Sequence, residues 1–345
     1  MRRMSDAVKW LRAGAITAVL LWSGGAPRAA SAQAVPQTHV LIISGASGEP
    51  RFATTFHAEA MALRAAATKT GVPDSLIVYL AEDPTSDPQA ISGRSNREGV
   101  TQAIEKIAAR ARPDDQVLIL LLGHGSADND VARFNVPGAD LTDADFARLL
   151  DRLSRQTVAF VNAASASGDF IKSLSGPNRV IVTATKSGFE RNETLFGQHF
   201  VAAYATEGAD TDKDGRVSLL EAFTYARREV VREYEQSNRL QTEHAMLDDD
   251  GDGVGRDDPA TDGPDGKRAR SFFLGAAGGV SASVANDPRA AALLATQRQL
   301  QQQIDSLRVV KASMPEAEYE KRLEALLLKL AETTRALRAL EVRKP

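Results

Sequence analysis

From Thr38 onward, short apolar runs alternate with longer segments whose apolar residues recur at helical spacing. The runs are HVLIIS (39–44), SLIVYL (75–80), QVLILLL (116–122), TVAFVN (157–162) and RVIVTA (179–184). Each is brief, continuous and rich in Val, Ile and Leu, which predicts strands covered on both faces. The segments between them predict helices over 51–69, 96–111, 143–153 and 168–174, and two more follow at 194–206 and 218–236. Strand–helix alternation of this kind predicts an α/β fold, a mainly parallel sheet sandwiched between two helical layers.

The pattern changes twice beyond that region. Residues 246–286 are rich in Asp and Gly and carry Pro259 and Pro264, so a long, mostly irregular segment is expected. Residues 287–345 are almost all good helix formers. There Leu293, Leu300, Ile304 and Leu307 keep to one helical face, and Leu323, Leu330 and Leu337 repeat every seven residues. Pro315 separates the two runs and suits the start of the second helix. A C-terminal helical hairpin or coiled-coil arm is expected, serving oligomerisation or packing rather than chemistry.

At the other end, Arg2, Arg3, Lys9 and Arg12 precede an apolar stretch at 13–22 and then Ala30-Ser31-Ala32. A positive start, a short apolar core and an A-x-A site predict a signal peptide over 1–32. The apolar stretch is shorter than the ~20 residues a membrane span needs. The expected product is periplasmic or secreted, with no membrane attachment after cleavage. A net charge of −3 argues against a nucleic-acid partner, since neutralising phosphates takes a basic surface. The absence of cysteine excludes disulfides, thiolate metal sites and thiol nucleophiles.

In parallel sheets, function gathers at the carboxyl ends of the strands. Those ends here carry Ser44 to Gly48, Gly123-His124-Gly125-Ser126, Ala163 to Gly168, and Thr185 to Gly188. His124 stands out because a glycine on each side lets the backbone turn and approach a ligand closely. The other histidines (39, 57, 199 and 244) lie in strand or helix contexts and read as structural.

Together LILLLGHGS and VAFVNAASASG resemble the paired motifs of the legumain-like and caspase-like cysteine peptidases, closest to the legumain-like branch. RVIVTATKSGFERNET and NVPGADLTDADFARLLDRL are similar to exported bacterial proteins of this fold. The resemblance implies a caspase-like domain over about 36–245. It implies that His124 is the imidazole, that Ser165 stands in place of the nucleophilic cysteine, and that the backbone N–H groups of Gly125 and Ser165 form the oxyanion hole. Ser47 occupies the place of the asparagine that orients the histidine in some members. A serine hydroxyl is far harder to ionise than a thiol and needs a base in direct contact, itself oriented by a third group. Two polar groups have changed together, which favours a catalytically degenerate homologue that binds a peptide or protein. A working hydrolase using Ser165 with His124 stays open as the alternative, with Ser167 as a second candidate hydroxyl.

The segment ADTDKDGRVSLLEAF fits the EF-hand loop at 210–221. Asp210, Asp212 and Asp214 take positions 1, 3 and 5, Gly215 the tight turn, Val217 the carbonyl position, Ser218 the ninth and Glu221 the twelfth. Alternating carboxylates of this kind converge on one hard cation, so a structural Ca2+ is expected. Asp248, Asp250 and Asp252 repeat the early spacing, but Pro259 stands where the closing carboxylate belongs, leaving Asp257 or Asp258 to substitute for it. A calcium-dependent assembly module, joined through the C-terminal helices as a homo-oligomer, is the third functional reading.

Overall fold

The computed structural model describes residues 36–128, 131–260, 263–275 and 288–342. The expected signal peptide lies outside the described residues. Among them, no helix is long and apolar enough to cross a membrane.

The central sheet contains β1 (Thr38–Ser44), β2 (Ile77–Ala81), β3 (Gly93–Arg94), β4 (Gln116–Leu122), β8 (Thr157–Asn162), β9 (Arg179–Thr183) and β10 (Met246–Asp248). Their order is β10-β9-β8-β4-β1-β2-β3. All neighbours are parallel except β10, which runs antiparallel to β9. All five expected strands are present. Edge strands β3 and β10 are additional, and each is too short to show a hydrophobic pattern of its own. A small antiparallel sheet of β5 (Gly125–Asp128), β6 (Val131–Phe134) and β7 (Leu141–Thr142) follows His124 directly.

Alternate residues of β1 serve opposite faces. Val40 and Ile42 join one core, and Leu41 and Ile43 the other. The first core is closed by α1 (Pro50–Lys69), α5 (Phe196–Ala203) and α6 (Leu219–Gln236). The second is closed by α2 (Arg97–Arg110), α3 (Asp143–Leu150) and α4 (Phe170–Leu174). The result is the mixed α/β three-layer arrangement expected from the chain pattern.

Local signals account for the helix starts. Pro50 opens α1. The Asn96 side chain accepts from Gly99 N–H at the head of α2. Capping boxes pair Thr142 with Asp145 on α3 and Ser218 with Glu221 on α6. No comparable side-chain cap heads α5 locally. Instead the remote Glu243 accepts from Leu195 N–H (2.8 Å) and Phe196 N–H (3.1 Å).

The two C-terminal helices run over Pro288–Val309 and Glu316–Val342. They pack on each other through Ala290, Leu294 and Leu337, and again through Leu300, Ile304 and Leu330.

Candidate active site

Sheet order sets the position of the site. β1 has β2 on one side and β4 on the other, so chain direction across the sheet reverses there, and such a reversal leaves a crevice at the carboxyl ends. β4 and β8 are adjacent and parallel, with Leu121 opposite Asn162. The residues that follow them, His124 and Ser165, therefore reach one cleft. Phe52, Phe56 and Glu59 of α1 also line it, as do Ala163, Glu193, Thr194 and Gly197.

His124 is half-buried. Its ring meets the Phe52 ring nearly edge-on at 4.4 Å between centroids, and that of Phe56 at 5.5 Å. The aromatics of α1 hold the imidazole in place, and no described residue forms a hydrogen bond with its ring nitrogens.

Ser165 is buried, and its hydroxyl turns toward the β5 backbone. Its oxygen accepts from Gly125 N–H at 3.2 Å, and its own proton faces the Gly125 carbonyl at 3.3 Å. A side chain at Gly125 would collide with the Ser165 carbonyl, since a Cβ there would lie 2.3 Å from that oxygen. The N–H that the resemblance assigns to the oxyanion hole is thus engaged by the serine itself.

Ala166 holds a left-handed backbone with φ of 52°, an uncommon conformation for a residue with a side chain. Its N–H donates to the Glu190 carbonyl at 2.7 Å. Ser167 is fully buried, and its hydroxyl lies 3.2 Å from that of Thr185, so it is not an exposed nucleophile. Gly168 packs so tightly that a Cβ would come within 2.2 Å of the Lys186–Ser187 backbone.

The expected orienting residue is engaged elsewhere. Ser47 donates its N–H (2.9 Å) and hydroxyl (2.7 Å) to Glu82, just past β2. Both donors are thus taken by a carboxylate at the end of the neighbouring strand, and a charged acceptor makes the stronger hydrogen bond. The remaining histidines have structural partners. His39 lies buried against Asp115 at the start of β1, His57 near Tyr79 and Asp87, His199 against Glu233, and His244 against Glu190.

Glu59 was not legible in the sequence, because it sits in mid-helix far from the other site residues. Its carboxylate lines the cleft with no hydrogen-bond or ion-pair partner among the described residues. Burial, and then the nearby Glu193 carboxylate, push its pKa up to about 7. Gly197 makes room for it, since a Cβ there would lie 3.0 Å from Glu59 Oε2.

Residues 47–249, more than half of the chain, match the Peptidase C13 family. The chain belongs to the Peptidase C13 family. Solved structures similar to this C13 chain include Spodoptera frugiperda caspase-1, at 10% identity and a TM-score of 0.41, covering 62% of this chain and 86% of that one. Another is a Geobacter sulfurreducens protein at 12% identity and a TM-score of 0.41, covering 62% and 93% respectively. No curated protein matches the chain.

Away from the cleft, Asp210, Asp212 and Asp214 bring carboxylate oxygens within 4.8 Å of one another, as do Asp248, Asp250 and Asp252. In the first cluster, burial and then Asp214 and Glu221 push Asp212 up to about 6. Glu221 faces the loop with one oxygen, which accepts from Thr211 and Asp212 N–H, while the other caps Ser218. Val217 is the eighth residue of this loop and packs against the first core, so the seventh position, whose carbonyl would face an ion, falls to Arg216 rather than to Val217 as expected. The element before the loop differs from the expected helix. α5 ends at Ala203, and a single 3-10 turn over Glu207–Ala209 leads into Asp210. In the second cluster, Asp248 accepts from Gly251 and Gly253 N–H. Asp265 lies fully buried beside it and accepts from Asp249 and Asp250 N–H. Asp265 lies beyond the expected loop, so the twelve-residue template did not reach it.

Proposed function

We propose that this C13 chain is an exported, calcium-stabilised member that has lost acyl transfer and uses its cleft to bind a peptide or protein partner. One observation carries the reading. The Ser165 hydroxyl is spent on both backbone groups of Gly125, while the His124 ring has no hydrogen bond to it. To act as a nucleophile, the serine would have to leave both contacts and reach the imidazole. With Ser47 held by Glu82, nothing at the place expected for an orienting group steadies that imidazole. Loss of the nucleophile alone removes several orders of magnitude in rate.

The charged start, apolar stretch and A-x-A at the N-terminus support export. Two groups of converging aspartates support calcium, which would relieve the mutual repulsion of their carboxylates.

The test is covalent labelling with a serine-directed phosphonate, followed by intact mass. No adduct is expected on the wild-type protein. An adduct that disappears in Ser165→Ala would establish the hydrolase reading instead, which the shared cleft of His124 and Ser165 keeps available. Ser165→Cys, assayed on a peptide panel, reports whether the surrounding groups still support thiol chemistry.

A further inference from the structure

The cleft has an electrostatic bias that the peptide-binding reading does not by itself require. Its lining contains two glutamates, one histidine and no lysine or arginine. Glu193, the outer carboxylate, has Arg51 Nη1 at 3.5 Å. The same guanidinium stacks over the Phe52 ring at 4.1 Å from its centroid. At its rim the protein therefore already holds a cation between an aromatic face and a carboxylate. Glu59, the inner carboxylate, has no such counterpart, although Phe56 precedes it by three residues and Phe52 by seven on the same face of α1.

A half-buried carboxylate with no hydrogen bond is costly while charged. Glu59 answers that cost by taking up a proton near neutrality. A bound cation would remove the need for the proton. An anionic ligand would find no lysine or arginine in the lining. A hard divalent ion would find too few oxygen ligands, since it prefers six to eight. The cleft is also small, so what enters is the end of one side chain rather than a folded element.

We infer that the cleft selects a cationic side chain, lysine or arginine, in the peptide it binds, with Glu59 and Glu193 as charge partners and Phe52 and Phe56 as walls. The inference rests on the peptide-binding reading above and names its ligand class. Glu193 from the loop before α5 and His124 from the end of β4 line the cleft with Glu59, and Arg51 at the head of α1 pairs with Glu193 at the rim. Binding of the cation therefore strengthens as pH rises and Glu59 loses its proton.

The experiment measures binding of doubly blocked tetrapeptides, Ala-Ala-Xaa-Ala, to the full mature chain by calorimetry. Xaa is lysine, arginine, norleucine, citrulline or aspartate. Lysine or arginine peptides are expected to bind about ten-fold tighter than their neutral isosteres near pH 8. The preference should collapse below about pH 6, and basic-peptide binding near pH 7 should release protons, visible as a buffer-dependent heat. Glu59→Gln, nearly isosteric and free of charge repulsion, should erase the preference without lowering Tm. Should that variant fold poorly, the pH dependence and proton release of the wild-type protein decide the matter unaided. Equal affinity for basic and neutral peptides overturns this inference and leaves peptide binding intact. No affinity for any of the peptides overturns both.

Discussion

The chemistry of this molecule turns on where single protons and hydroxyls are committed. Ser165 and His124 share a cleft, but the hydroxyl closes on Gly125 and the imidazole rests against two phenyl rings. Two other carboxylates set the response of stability to pH. Burial raises both Glu59 and Glu243 to about 7, although Leu195 and Phe196 N–H pull Glu243 the other way. Their folded-state values lie above the unfolded ones, so the native state binds more protons between about pH 4.5 and pH 7. The stability they contribute is present below the unfolded pKa and is lost as pH rises through 7. Asp145 acts in the opposite sense. Burial opposes its ionisation, but Thr142 and Arg97 hold it down to about 2, so its contribution is lost as pH falls through that value. Thermal melts are expected to show Tm declining from about pH 5 to pH 8, with a shallower decline in Glu59→Gln. A flat profile in the wild-type protein would contradict the burial assigned to both glutamates.

Among the elements, the loop after β8 is the most tightly constrained. Gly168 touches the backbone after β9, and Ala166 is held in a left-handed conformation by Glu190. Gly168→Ala should cost about 1–3 kcal/mol through overpacking, measurable as a lower midpoint in urea at unchanged slope. Ala166→Gly should be tolerated or mildly stabilising, because glycine adopts that φ without steric cost. The loop before α6 is governed by charge instead. Calcium at about 1 mM is expected to raise Tm by several degrees, magnesium to do less, and Asp212→Asn to remove most of the response. An unchanged Tm on adding EGTA to purified protein and then restoring calcium would remove the ion from this account.

For the whole molecule, the open question is what the C-terminal helices meet. They bury one another's apolar residues, yet Leu328 remains 59% exposed and Leu327 and Val310 are also exposed. If they join copies of the chain, deleting residues 287–345 should convert an oligomer to a monomer in light scattering while the cleft domain keeps its Tm. A full-length monomer would confine these helices to packing within one chain.

The sequence by itself determined the five interior strands, the helices between them, and the strand ends that carry His124 and Ser165. Those features come from local periodicity, which strand and helix geometry impose directly. Edge strands β3 and β10 escaped notice, because two or three residues are too few to display a period. The conversion of Ser47 from an expected histidine partner into a Glu82 partner, and the arrival of Glu59 in the cleft, were decided only by tertiary structure. Spacing along the chain tells which face of a helix a residue occupies. Which carboxylate reaches a donor first, and which is left without one, depends on how separate elements pack.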